Sequence, residues 1–201
     1  AGAGDHADPD TRAGAVAYQV TEYGEGLPNA EARFLRGRVH RQYDAAGVVS
    51  NTYDFKGNVV RQTRAIAPDH RAAIDWAQPQ PDGARYVSVT VYDALNRPIQ
   101  QVAPRHDDAA APWDVTQPTY NEAGLLEALH VWTGLAGEPT GLIDPLVTAP
   151  SGVGVDDIDY DAKGLRTSVS YRGGVVTDYE YDPDTFRLTR LTTRLGGGGG
   201  L

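Results

Sequence analysis

The stretch from Gly37 to Arg64 reads GRVHRQYDAAGVVSNTYDFKGNVVRQTR, and it holds one small pattern twice. A Tyr-Asp pair ends a short run, and a glycine follows: Tyr43-Asp44 with Gly47, then Tyr53-Asp54 with Gly57. Tyrosine favours a pleated, half-buried strand. An Asp at the strand's end accepts a hydrogen bond from the backbone two residues on and so starts a turn. Glycine then takes a positive φ at little steric cost. Valines follow in both copies (Val48-Val49, Val59-Val60). The pattern therefore reads as strand, tight turn, returning strand, which is a β-hairpin.

Four further copies extend the reading. They are YDALN (Tyr92, Asp93, Asn96), YNEAG (Tyr120, Asn121, Gly124), YDAKG (Tyr160, Asp161, Gly164) and YDPDTFR (Tyr181, Asp182). Asn96 stands where the others have glycine, and asparagine is the next best residue for a left-handed backbone. Successive motif tyrosines lie 10, 39, 28, 40 and 21 residues apart, and a weaker copy at Tyr171-Arg172-Gly173-Gly174 splits the last gap. Gaps near multiples of ten suit short strands laid side by side. A repeat of this kind signals an architecture built by stacking one small unit.

Composition narrows the function classes. The formal charge of −9 speaks against nucleic acid and against an anionic membrane surface as partners. Cysteine is absent, so no disulfide or thiol chemistry is available. No run of about 18 apolar residues would span a bilayer. Tyrosine is the main aromatic, with 11 copies against 3 Trp and 3 Phe, as suits a sheet whose faces are packed yet partly wet.

Along the chain, residues 1–33 read as a partly disordered lead-in containing one strand (Val16 to Tyr23). A repeat-bearing sheet region spans 34–195, and a flexible Gly-rich tail follows over 196–201. Loop insertions are expected near 65–85, 103–118 and 134–156, where proline and glycine gather. Pro68 to Trp76 is the best short-helix candidate, with Asp69 as its cap. Tyr86 to Tyr92 is the clearest strand, with Val87, Val89 and Val91 on one face.

Three stretches carry a family resemblance: Gly37 to Arg64, VTVYDALNRPIQ (Val89 to Gln100), and IDYDAKGLRTSVSYRGGVVTDYEYDPDTFRLTRL (Ile158 to Leu191). They resemble the YD-repeat, or Rhs-repeat, proteins, which include bacterial polymorphic toxins, toxin-complex B and C components, and teneurins. The wording is most similar to the toxin-complex branch. The resemblance implies an all-β fold of antiparallel hairpin repeats forming part of a spiralling, cocoon-like shell. It also implies a non-catalytic role in a secreted or cell-surface protein. The partners it implies are the remainder of the same polypeptide, an enclosed toxic C-terminal cargo and a translocation component, without nucleic acid, membrane insertion or cofactor. Family members that release cargo cut themselves near aspartates in Asp-Pro-x-Gly contexts. The Asp-Pro pairs here (Asp8-Pro9, Asp144-Pro145, Asp182-Pro183) lack the following x-Gly, so no protease residue is carried over.

Other chemistry is weakly signalled. His106-Asp107-Asp108 has metal-ligand types side by side but no second ligand at a meaningful spacing. Asp157, Asp159 and Asp161 begin like a calcium loop, yet Ala162 and Ser168 stand where glycine and glutamate are required. No serine sits in a nucleophile elbow, and no carboxylate pair is singled out for glycoside hydrolysis. An alternative function, a surface adhesion or carbohydrate-binding module, would use exposed tyrosines together with Trp76, Trp113 and Trp132 as stacking residues. The opposing reading makes the same tryptophans anchors that pin loops to the sheet.

Overall fold

β-branched residues and tyrosine alternate with polar ones in short runs, and those runs become strands in the computed structural model, which describes residues 16–69, 71, 74–77 and 83–195. The strands are β1 (Val20–Tyr23), β2 (Val39–Asp44), β3 (Gly47–Tyr53), β4 (Val59–Ile66), β5 (Arg85–Tyr92) and β6 (Pro98–His106). They continue with β7 (Trp113–Tyr120), β8 (Leu126–Leu135), β9 (Gly154–Tyr160), β10 (Arg166–Tyr171), β11 (Val175–Tyr181) and β12 (Leu188–Leu195). All twelve belong to one antiparallel sheet whose strand order is the chain order. The all-β hairpin fold expected from the repeats is the fold observed, and the described residues contain no helix.

Contacts divide the chain into two compact units, Ala1–Val89 with Pro104–Ala109 and Thr90–Ala103 with Ala110–Leu201. The buried apolar set of the first is small: Ala30, Leu35, Ala67, Ile74 and Val87. The second buries Val102, Trp113, Val115, Ala128, Trp132, Ile158 and Val169. Register explains part of that choice. Val102 faces Val115, and Val115 faces Trp132, so three adjacent strands present one continuous apolar row. Ile158 faces Val169, which faces the buried Thr177. Because side chains alternate along each strand, a one-residue slip would turn this row to the opposite side.

Several boundaries differ from the sequence reading. The strand expected over Val16 to Tyr23 is confined to its last four residues. The loop expected over 103–118 is mostly strand: β6 runs to His106 and β7 begins at Trp113, leaving only 107–112 between them. Proline signals were outweighed there by side-chain burial. Pro118 pairs with Leu129 beside a register shift at Thr119/Tyr120. The Thr119 hydroxyl oxygen accepts the Ala128 N–H at 3.1 Å, supplying an acceptor where the ladder is irregular. The helix expected over Pro68 to Trp76 is absent from its described part. The Asp69 carboxylate accepts the Arg71 N–H in a local turn instead of opening a helix. His70, Ala72 and Ala73, the loop residues 78–82, the lead-in over 1–15 and the tail over 196–201 lie outside the described residues.

Gly47 tests the packing directly. It has φ +130°, and a Cβ there would lie 1.9 Å from the Ala65 carbonyl oxygen on β4. Gly37 has φ +69° with no atom within 4 Å of its Cβ position. Gly37→Ala is expected to cost about 1 kcal/mol, the conformational penalty alone. Gly47→Ala is expected to cost upwards of about 3 kcal/mol, because two paired strands must separate. Urea midpoints of the two variants measure the contrast.

Candidate functional site

The repeated feature of the molecule is its motif turn, and its geometry recurs. In the Tyr92 copy, Asp93 N–H donates to the Arg97 carbonyl at 3.0 Å, and Asn96 N–H donates back to the Asp93 carbonyl at 3.1 Å. The Asp93 Oδ1 accepts the N–H groups of Leu95 and Arg97 at 2.8 and 2.9 Å. Asp161 repeats this with Lys163 and Leu165, both at 2.9 Å. Asn121 does so through its amide oxygen, which accepts the Leu125 N–H at 3.0 Å. Asp54 accepts from Gly57 and Asn58. Asp182 serves Asp184 and Thr185 in a turn one residue longer, where Phe186 takes the positive φ of 57°.

These bonds show in the acidity of three carboxyls. Asp93 is held below the usual carboxylate value, first by the Arg97 N–H and then by the Arg97 side chain. Asp182 is held low chiefly by the Thr185 N–H and hydroxyl. At Asp54, partial burial works to raise the value, and the combined donors of Asn58, Gly57 and Lys56 outweigh it. In each case hydrogen bonding favours the charged form.

A second, longer-range contact joins one turn to the next. Tyr53 donates its hydroxyl to the Val39 carbonyl at 2.7 Å, Tyr120 to Pro98 at 2.9 Å and Tyr160 to Leu126 at 2.7 Å. Every one of these acceptors is the first residue of the preceding strand. The residue just before it, at the end of that earlier turn, lies against the incoming motif. The Arg38 guanidinium sits 5.4 Å from the Tyr53 ring centre, and the Arg97 guanidinium sits 4.4 Å from that of Tyr120. A Cβ on Gly57 would come within 3.0 Å of Arg38, one on Gly124 within 3.3 Å of Arg97, and one on Gly164 within 3.7 Å of Leu125. The motif glycine thus leaves space for a neighbour's side chain as well as accepting a positive φ. Sequence reasoning missed Arg38, Arg97 and Leu125, whose only signal was their place one residue past a turn former.

The same geometry exposes a disguised copy. Tyr23 ends β1, and Gly24 N–H donates to the Arg38 carbonyl at 2.9 Å, the bond that Asp93 makes to Arg97. Between them runs a long insertion that ends in Gly37, with φ +69°, before Arg38. Conversely, the Tyr43 copy is a different turn. Asp44 pairs directly with Gly47 in a tighter hairpin at the opposite end of β3 from Tyr53. Its carboxylate accepts the Ala46 N–H at 2.8 Å and binds Arg64 through both oxygens at 2.8 and 3.0 Å. In the weak Tyr171 copy, Arg172 pairs with Asp156 and reaches the His130 ring nitrogen at 3.0 Å. Burial and that same arginine hold His130 below its ordinary value.

The tryptophans serve as anchors. Trp132 is 1% exposed, and its indole N–H donates to the Thr148 carbonyl at 2.9 Å. The buried Gln117 side chain clasps both backbone groups of Ile143. Together they fasten the long connection over 136–153. Trp113 is buried, and Trp76 packs edge-on against Tyr43 while donating to the Asp44 carbonyl. His106 accepts the Asp108 N–H, and Asp161 spends its carboxylate inside a turn while Asp157 and Asp159 remain exposed on β9. Among the described residues no three His, Cys, Asp or Glu side chains gather around a common point.

No family model matches this chain, and no curated protein matches it either. Solved structures do. The crystal structure of TcdB2-TccC3-TEV superposes with a TM-score of 0.66 at 21% identity, covering 88% of this chain and 8% of that one. The Photorhabdus luminescens Tc holotoxin pore with a mutated TccC3 gives a TM-score of 0.68 at 21% identity, covering 89% and 8%. TcdB2-TccC3 without its hypervariable C-terminal region gives 0.66 at 21%, covering 88% and 8%. The likeness is one of fold, and the resemblance read from the motifs points to the same toxin-complex proteins.

Two outcomes follow from the turns. A double-mutant cycle between Arg97→Gln and Tyr120→Leu, read by urea unfolding, should give a coupling of about 0.5–1 kcal/mol; additivity would refute the inter-turn stack. Asp93→Asn keeps an acceptor oxygen but no titratable group. A carboxyl with a depressed native value contributes stability that is present above the unfolded value, about 4, and lost as pH falls through the native one. Relative to the parent, this variant should therefore lose less stability between pH 5 and pH 2, the interval named by the downward shift at Asp93.

Proposed function

We propose that this chain is a non-catalytic wall segment of a YD-repeat shell, part of a longer secreted toxin polypeptide that encloses a toxic C-terminal cargo. The observation that carries this reading is the turn-to-turn interlock. In the Tyr53, Tyr120 and Tyr160 copies the tyrosine hydroxyl and the glycine are both spent on the neighbouring hairpin, so the chemistry of those motifs is consumed in extending a sheet. Support comes also from the fold shared with TcdB2-TccC3 structures, of which this chain spans 8% of the length. A translocation component belongs to the same proposal as a partner. The adhesion reading loses its tryptophans, since Trp113 and Trp132 are buried and Trp76 is engaged by Tyr43 and Asp44.

A wall segment needs neighbours at both ends of its sheet. In the strand order, β12 pairs with β11 and ends the series. It leaves Leu188, Leu191 and Leu195 at 51%, 53% and 77% exposure. An exposed edge strand of eight residues carrying three leucines is a template for another chain's strand. Light-scattering mass on the purified chain should accordingly rise with concentration. The double substitution Leu191→Lys and Leu195→Lys should return it to monomer without lowering the unfolding free energy by more than about 0.5 kcal/mol. A monodisperse, trypsin-resistant monomer at all concentrations would instead mark a self-contained module and sink the wall-segment reading.

A further inference from the structure

We infer that the row of β4 and β5 residues that includes Arg64 and Tyr86, in the first unit, forms a binding site for a small amphipathic monocarboxylate, a single carboxylate carried on a branched aliphatic body. Arg64 faces Tyr86 and Gln62 faces Ser88 across the two strands, and Ile66 continues the row on β4. With Pro104 of β6 these residues line an open cavity of about 340 Å3. That is the small end of the range for ligand pockets, roughly 300–1,000 Å3.

The walls and the polar groups are of different kinds. Ile66, Tyr86 and Pro104 supply carbon surface, and the Tyr86 ring is held edge-on by His106 at 5.5 Å and 87°. Ile66 and Tyr86 are each 38% exposed, more than paired strand residues in the middle of a sheet require. The Arg64 Nη2 is committed to both oxygens of Asp44. Its Nη1 and Nε have no partner among the described residues. Both open edges of a guanidinium include Nη2, which carries two hydrogens, so one Nη2–H can hold Asp44 while the other, together with Nη1–H, receives a second carboxylate in paired geometry. The Ser88 hydroxyl is likewise unengaged among the described residues. Gln62 gives its amide N–H to Asn51 at 3.1 Å, which leaves the amide oxygen open.

Carbon walls beside a single half-used guanidinium select one charge and one apolar body. A dicarboxylate would set its second charge against Ile66 or Pro104, unpaired and partly desolvated, which is costly. A neutral analogue would leave the guanidinium edge unmatched. The inference stands apart from the shell proposal, because it uses no motif residue except Asp44 as the strut that orients Arg64.

The full chain, isotopically labelled, is titrated with N-acetyl-L-leucine and with N-acetyl-L-leucinamide while its amide resonances are followed. The acid should shift Ile66, Tyr86 and Ser88 saturably, and the amide should bind at least about tenfold more weakly for want of the charge-assisted pair. Ser88→Val removes the hydroxyl donor and narrows the cavity without touching the Asp44–Arg64 pair, and should weaken the acid by a similar factor; Arg64→Gln should do the same. If Arg64→Gln disturbs the fold, seen as a changed amide spectrum, the Ser88→Val result decides alone. Equal binding of acid and amide, undiminished binding by the Ser88→Val variant, or no saturable shift with the acid would each overturn the assignment.

Discussion

The structure depends on how a turn of four or five residues satisfies its own backbone. A hairpin that reverses the chain leaves N–H groups inside the bend with no strand partner, and those donors need an acceptor. The Asp or Asn after each motif tyrosine provides it from within the same turn, at 2.8–2.9 Å in the Tyr92 copy. Such a bond contributes about 1 kcal/mol net, and more where the acceptor is charged. The amide of Asn121 fills the role without a charge. What matters first, then, is an oxygen at the right distance from the backbone, and ionisation adds strength to that.

Once the turns are fixed, their neighbours follow. A hairpin alone cannot bury a face, so each must be laid against the next. Here the junction is made at the strand ends as well as in the sheet ladder. The hydroxyls of Tyr53, Tyr120 and Tyr160 tie their hairpins to the backbone of the preceding strand, and the glycines of those copies cede the space that Arg38, Arg97 or Leu125 enters. Between those ends the apolar row is thin. Buried Gln100, Gln117 and Thr177 sit among the hydrophobic residues of the second unit. The ordered ends carry part of the stabilisation that a deeper core would otherwise supply.

Much of this was legible in the sequence, and the reasons it was not fully so are specific. Tyr-Asp-x-x-Gly announces a turn because Asp and Gly have conformational preferences that act within a few residues. The equivalence of Tyr43 and Tyr53 was misleading for the same reason. Identical local wording closes two hairpins of different length, and what separates them is that Asp44 reaches Arg64, 20 positions away. The Tyr23 copy stayed hidden because its Asp is replaced by Gly24 and its turn is swollen by an insertion. Pro104 and Pro118 suggested loop, since proline removes a ladder donor. They lie in strands because Val102, Val115 and Trp132 form a buried row across three strands, a tertiary fact that no local propensity records.

The nature of the inter-turn contact also bears on how such a fold persists at 21% identity to its structural neighbours. The tyrosine hydroxyl is received by a backbone carbonyl, which every residue possesses. The side chain that covers the motif varies, being arginine at 38 and 97 and leucine at 125, since a guanidinium and a branched alkyl both pack on what a glycine leaves open. In the Tyr53, Tyr120 and Tyr160 copies three positions therefore hold the geometry, and the rest are answerable mainly to the alternation of buried and exposed faces. A sheet built this way can replace most of its residues while each hairpin continues to specify where the next one lies.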